Sequence, residues 1–231
     1  MKARYEIIKN DDRIFFFDGE KYVLFDTGFG GYSISVNGKI GSIAVNMAPE
    51  FFFKSFIDLK MPDGCSVTAV FNPMSGYNCL LQGNTLVISD EKLDPAAEAV
   101  CFWEFADSYL PIINGRIGGR ACRLFFDSGA RMTMFGECEL ASSPEIRSYR
   151  EWMAMLHKYS DLPVYKVELE FSDGFKYSGE GALVNEPAYL SAARNMNIRA
   201  MLGIDIFEKY DLYIETRGAK RGIYLLEKQP R

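Results

Sequence analysis

Histidine is almost absent from this chain: His157 is the only one in 231 residues. A Ser-His-Asp or Cys-His site has to use that residue, and nothing around it resembles a nucleophile elbow. Cysteine is sparse and unpatterned. The five cysteines (Cys65, Cys79, Cys101, Cys122, Cys138) form no CxxC pair, which speaks against a structural zinc site and a disulfide framework alike. Reduced, buried thiols in a cytoplasm are the expected state. No cluster of His, Cys or carboxylates has metal-ligand spacing, so neither a metal nor another cofactor is expected. A basic excess is missing too. The net charge of −5 argues against a nucleic-acid partner, whose phosphates call for a positive surface. No apolar run approaches the roughly 20 residues of a membrane span, so no membrane partner is expected. The opening MKARYEIIKNDDRIFFF lacks the apolar core and small-residue cleavage site of a signal peptide.

What is present suits a globular chain with a sizeable core, at 48% apolar and 25% charged residues. The length admits one large domain or two lobes of about 110 residues. The more polar, proline-bearing stretch SDEKLDPAAEAV marks a boundary that divides lobe 1–98 from lobe 99–231.

The first half reads as short strands. YEIIK, RIFFF and KYVLF are rich in β-branched and aromatic residues, with Asp18-Gly19 turning between the last two. YSISV and SIAV flank Asn37-Gly38, read as a second hairpin, and Pro62-Asp63-Gly64 is a further turn. YNCLLQGNTLVISD closes the half. In the second half, FADSYLPIING and RIGGRACRLFF read as strands. Gly115-Arg116-Ile117-Gly118-Gly119 lacks the Lys-[Ser/Thr] ending of a phosphate loop and reads as a hairpin turn. SSPEIRSYREWMAMLHKY (142–159) is the best helix by pattern. Its serine-proline start suits an N-terminus, and Ile146, Tyr149, Trp152, Met153 and Leu156 recur at helical spacing. VYKVELEF and FKYSGEGALV flank Ser172-Asp173-Gly174, another hairpin. A short helix over LSAARNMN precedes AMLGIDIF, YDLYIE and GIYLLEK. The fold class is mostly β with short helices. Phe15-Phe16-Phe17 and Phe51-Phe52-Phe53 are expected mostly in the core.

One pattern occurs twice. VLFDTGFG (23–30) and LFFDSGAR (124–131) each end an apolar run of three on an aspartate, a hydroxyl residue and glycine. Asp26 and Asp127 stand 101 positions apart, nearly half the chain. Asp-[Ser/Thr]-Gly is expected by chance only about 0.1 times in such a length. An apolar strand of this kind delivers a carboxylate to a loop tip. The hydroxyls of Thr27 and Ser128 can brace the opposite loop, and Gly28 and Gly129 let backbone approach a carboxylate. Two such loops meeting about a two-fold axis bring two carboxylates together, and these share a proton. The charged one can take a proton from a water while the neutral one hydrogen-bonds a scissile carbonyl.

The second half, over roughly 109–228, resembles the retropepsin-like aspartic peptidases. PIINGRIGGRACRLFFDSGARMTMF supplies two strands leading into Asp-Ser-Gly-Ala, and IRAMLGIDIFEKYDLYIE supplies the family's apolar-apolar-Gly segment at Met201, Leu202 and Gly203. In the family that segment threads behind the catalytic loop. The first half is similar more faintly. Leu80-Leu81-Gln82-Gly83 lies where its second apolar-apolar-Gly segment is expected, although Gln82 interrupts the pattern, and Phe29 replaces the usual alanine. The resemblance implies an acid-protease-like fold of two pseudo-symmetric β-barrel-like lobes with the active site between them. It implies an aspartic endopeptidase acting on polypeptide through catalytic Asp26 and Asp127, with Thr27, Gly28, Ser128 and Gly129 supporting. Both motifs in one chain favour a monomer over a homodimer built on Asp127 alone. The family's flap hairpin has two candidates, the turns at Asp63-Gly64 and Asp173-Gly174. The alternative function is a non-catalytic peptide-binding or interaction protein that kept the fold. A separation of the carboxylates beyond hydrogen-bonding reach would favour it.

Overall fold

A computed structural model describes residues 2–10, 12–29, 36–40, 43–47, 61, 67–95, 97–136, 141, 143–153, 158–171 and 173–228. The first half contributes β1 (Lys2–Asn10), β2 (Arg13–Phe17), β3 (Tyr22–Phe25), β4 (Val36–Ile40), β5 (Ile43–Met47), β6 (Val67–Phe71), β7 (Asn78–Gln82) and β8 (Thr85–Ser89). The second contributes β9 (Ala99–Glu104), β10 (Ile112–Ile117), β11 (Arg120–Phe126), β12 (Thr133–Phe135), β13 (Arg147–Met153), β14 (Lys158–Phe171) and β15 (Lys176–Leu183). Helix α1 (Pro187–Asn195), β16 (Ala200–Leu202), β17 (Tyr210–Glu215) and β18 (Gly222–Glu227) follow. The described residues are mostly β with short helices, arranged as a closed barrel and a second sheet.

The two halves repeat one plan. In the first, β3 lies between β2 and a parallel β6, with Phe25 opposite Phe71. In the second, β11 lies between β10 and a parallel β16, with Phe126 opposite Leu202. Strands β10, β11, β16, β12, β15 and β14 pair in that order, and a β10–β14 pairing closes them into a six-stranded barrel. Strands β3 and the end of β11 are buried along consecutive residues rather than alternate ones, because both their faces are covered. That explains the apolar triplets before each aspartate.

A sheet of six antiparallel strands, β1-β8-β7-β17-β18-β9, joins the halves. Its central seam is β7 against β17, with Leu81 opposite Leu212 and both wholly buried. Side chains clamp the seam at both ends. Asn78 Oδ1 accepts the N–H groups of Thr216 (2.9 Å) and Arg217 (3.1 Å), and Asp211 Oδ1 accepts that of Gly83 (3.1 Å). One continuous core runs beneath it, from Phe16, Phe25 and Phe71 through Leu81 to Phe126, Leu202 and Leu212. Trp103 stacks on Phe171 at 3.9 Å within that core. Among the described residues no helix is long and apolar enough to cross a membrane.

Several expectations are corrected. Residues 142–159 do not form a helix: β13 and the start of β14 occupy the described part, paired from Arg147 opposite Val164 to Met153 opposite Lys158. Tyr149, Glu151 and Met153 point inward in alternation, so the aromatic-rich stretch meets a period of two as well as 3.6. Pairing with β14 decides between them. His157 lies outside the described residues, as do Asp63-Gly64 and the Phe51–Phe53 run. Asn37-Gly38 falls inside β4, and the hairpin turns after Ile40 instead. The Asp18-Gly19 and Gly118-Gly119 turns and the short helix near LSAARNMN stand where expected. The Asp173-Gly174 turn is tethered to β9 through the Phe102 N–H donating to Asp173 Oδ2 (3.4 Å), which does not suit a free flap.

Because Leu81 sits in the seam, Leu81→Ala is expected to lower unfolding free energy by about 2–5 kcal/mol. Urea denaturation checks this, and a single cooperative transition is expected, since both halves share the core.

Candidate active site

Each aspartate sits one residue past a buried strand. The Asp26 N–H donates to Phe71 O (3.0 Å) and the Asp127 N–H to Leu202 O (2.9 Å), the last rungs of the two parallel pairings. The carboxyls therefore emerge where β3 and β11 run out, and the two loops face each other across the pseudo-two-fold axis.

A cross-brace locks the loops. Thr27 Oγ1 accepts the Ser128 N–H (2.9 Å) and donates to Phe126 O (2.8 Å). Reciprocally, Ser128 Oγ accepts the Thr27 N–H (2.9 Å) and donates to Phe25 O (3.2 Å). Only a hydroxyl can donate and accept at one atom here, which is why the motif demands Ser or Thr. Both residues are buried, so each of these four bonds satisfies a group that water cannot reach.

The glycines serve the same approach. The Gly28 N–H donates to Asp26 Oδ1 (2.8 Å) and the Gly129 N–H to Asp127 Oδ1 (2.9 Å). A Cβ on Gly28 would lie 2.4 Å from Asp127 Cγ, and one on Gly129 would lie 2.4 Å from Asp26 Oδ2. Each glycine is thus required by the opposite half's carboxyl.

The two carboxyl groups lie within hydrogen-bonding reach of each other, an arrangement that favours one shared proton. Burial and then the charge of Asp127 push Asp26 well above the usual carboxylate range; burial also raises Asp127. The backbone N–H bonds and the Arg13 guanidinium pull both back. The proton belongs to the pair rather than to either member.

The brace behind the first loop is not the one read from sequence. Leu80-Leu81-Gln82-Gly83 belongs to β7 and its turn, in the seam between halves. Val70-Phe71-Asn72 occupies the position equivalent to Met201-Leu202-Gly203, as the matching bonds of Asp26 and Asp127 require. In the second half the Ile204 N–H donates to Ala130 O (2.9 Å). The equivalent residue in the first half is Pro73, which has no N–H. Asn72 supplies the missing donor: its Nδ2 bonds Phe29 O at 2.8 Å, while its Oδ1 accepts the Met74 N–H at 2.8 Å and caps the following 3-10 turn. An Asn-Pro pair thus replaces Gly-Ile, with the same carbonyl satisfied.

Sequence reasoning missed a buried charge cluster beside the loops. Arg13, at the start of β2, donates from Nε to Gly129 O (2.9 Å) and from Nη2 to Glu151 Oε1 on β13 (2.9 Å). Arg131 Nε donates to Glu151 Oε2 (2.9 Å). The only signal in the sequence is a charge opening the otherwise apolar RIFFF run. Next to this cluster a cavity of about 280 Å³ is lined by Ile14, Met132, Tyr149, Ile204 and Asp205, among others. Burial pushes the Asp205 carboxyl up to about 7, and the Tyr177 hydroxyl donates to it at 3.3 Å. Among the described residues no group of three or more His, Cys, Asp or Glu is placed to hold a metal ion.

No protein-family model matches the chain, and no curated protein matches it. Among solved structures, it is similar to a foamy viral protease-reverse transcriptase determined in complex with an RNA/DNA hybrid. The identity is 17%, the match covers 44% of this chain and 12% of that one, and the TM-score is 0.33. So loose a superposition carries no inference about fold or activity.

Two outcomes follow from the geometry. Asn72→Ala removes the bonds to Phe29 O and from the Met74 N–H and is expected to cost about 1–3 kcal/mol, read by urea denaturation. Asp205 is raised in the folded protein, so its neutral form stabilises the fold below pH 4, and that contribution is lost as pH rises through about 7. Asp205→Asn should flatten the fall in stability across that window, measured as melting temperature against pH.

Proposed function

We propose that the chain is an aspartic endopeptidase of two fused lobes, 1–98 and 99–231, that hydrolyses peptide bonds in a polypeptide substrate. The observation that carries this reading is the pair of carboxyls, Asp26 and Asp127, within hydrogen-bonding reach of each other on cross-braced loops from the two halves. Their contact is also what favours catalysis over a peptide-binding scaffold, whose carboxyls need not meet. Both aspartates come from one chain, which supports a monomeric enzyme. Cys79 and Cys101 are buried free thiols, in keeping with a reducing, cytoplasmic setting.

The proposed chemistry needs no covalent intermediate. A water held between the carboxyls gives a proton to the ionised member and attacks the scissile carbonyl. The neutral member hydrogen-bonds the carbonyl oxygen as it gains charge. The tetrahedral diol then collapses, the C–N bond breaks, and a carboxyl proton passes to the departing amine. The products are a new carboxyl terminus and a new amino terminus. Thr27 and Ser128 act by holding the loops, and Gly28 and Gly129 by admitting the opposite carboxyl. The β13–β14 pairing, which carries Glu151 opposite Ser160, is the better candidate for the flap.

The test is cleavage of a diverse peptide pool between pH 3 and 8. Wild type is expected to cut with a bell-shaped pH dependence. Asp26→Asn and Asp127→Asn are each expected to lose about 10²–10⁴-fold in kcat. Equal activity in wild type and both variants would sink the reading.

A further inference from the structure

The buried cluster of Arg13, Glu151 and Arg131 has no part in the hydrolysis as written, yet it touches the Asp127 loop directly. Arg13 is 6% exposed and Glu151 1%, and their residues lie 138 positions apart. We propose that Arg13 is a positioning residue for the Asp127 loop, and that its charge, balanced against Glu151, sets the pH window in which the dyad holds one proton. This rests on the reading of Asp26 and Asp127 as a catalytic pair.

The positioning argument is geometric. One guanidinium face spans two fixed acceptors, Gly129 O and Glu151 Oε1, each at 2.9 Å. A planar fork can do this where an ammonium cannot hold both directions at once. Glu151 is fixed in turn, taking Arg131 Nε at 2.9 Å and the Trp152 N–H at 3.1 Å. The peptide that Arg13 grips directly follows the one whose N–H binds Asp127 Oδ1. A movement of β13 is therefore transmitted through Glu151 and Arg13 to the Asp127 loop.

The device is one-sided. Phe15 pairs with Leu24, and Ile112 with Phe125. Leu24 and Phe125 are equivalent, each standing two residues before its aspartate, so the equivalent of Arg13 is Leu110. Among the described residues, the Asp26 loop receives no matching guanidinium from the second half. In a site whose other bonds are nearly two-fold symmetric, this is the element that distinguishes the carboxyls.

The charge argument is additive. Arg13 brings a guanidinium to the Asp127 loop, and its charge favours ionisation of both aspartates. Across the cavity that Arg131 and Tyr149 line stand Lys9, Asp12, Arg147, Glu180, Glu208 and Lys209, with Asp205, whose carboxyl burial raises to about 7. Two phenols face the loop and the cluster more directly. Tyr189, on α1, faces Asp127 and donates to Met134 O, and Tyr149, on β13, faces Glu151, Arg131 and Arg13. Burial raises both phenols far above neutrality, so they stay uncharged while the carboxyls titrate.

The experiment follows the aspartate carboxyls by ¹³C NMR titration in the full chain, alongside the pH dependence of kcat/KM. Arg13→Gln removes the positive charge and should move both dyad titrations up by about 0.5–1 pH unit. Glu151→Gln removes a negative charge from the same cluster and should move them down by a similar amount. Arg13→Lys keeps the charge but not the fork. It should keep the window while lowering kcat about 10-fold with little change in KM. Shifts of the same sign in Arg13→Gln and Glu151→Gln, or no shift in folded protein, overturn the proposal. If Arg13→Gln does not fold, Arg13→Lys and Glu151→Gln carry the test. Titrations that respond as stated in a protein that cuts no peptide would uphold the charge control and reject the peptidase reading, so the two failures are distinguishable.

Discussion

The reciprocal bonding of Thr27 and Ser128 is the constraint on which the rest of the site depends. Each hydroxyl donates to a carbonyl and accepts an N–H of the opposite half, so neither loop can shift without leaving a buried group unpaired. Rigidity at this point is what allows two carboxyls to remain in contact. Without it, their repulsion and their need for water would drive them apart.

That local lock works because a larger one surrounds it. The seam of β7 against β17 holds the halves in register, and the shared core beneath it leaves no hinge between them. The parallel strands β6 and β16 then bring Phe71 O and Leu202 O to the two aspartate N–H groups. Position is passed outward to inward: sheet to strand, strand to loop, loop to carboxyl. The comparison of Asn72-Pro73 with Gly203-Ile204 shows how far the two halves can diverge while keeping the last step. What is retained is a donor to one carbonyl, not a residue type.

The site was legible in the sequence to the extent that its chemistry is written in adjacent residues. Aspartate, hydroxyl and glycine must follow one another because each acts within a single turn, so the pattern survives in both halves. The bracing segment of the first half was misread because its role is defined by a parallel partner far along the chain, and Asn72 performs it without glycine. The stretch 142–159 was misread for a related reason. Its aromatic residues satisfy two periodicities, and the choice lies with β14 rather than with the stretch itself. Arg13 left only a charge at the start of an apolar run and Glu151 no trace, because an arginine at a strand start and a glutamate among aromatics normally face solvent.

By itself the sequence determined the strand-rich class, most hairpins, and the two loops with the carboxyls they carry, since these depend on neighbours within a few residues. The tertiary structure alone decided that the loops meet, that the carboxyls come within reach of each other, and that a guanidinium from the first half grips the loop of the second. The physical reason is one of range. Turn chemistry and apolar runs act over a few bonds of chain, whereas desolvation and charge pairing act through space between residues that only folding brings together.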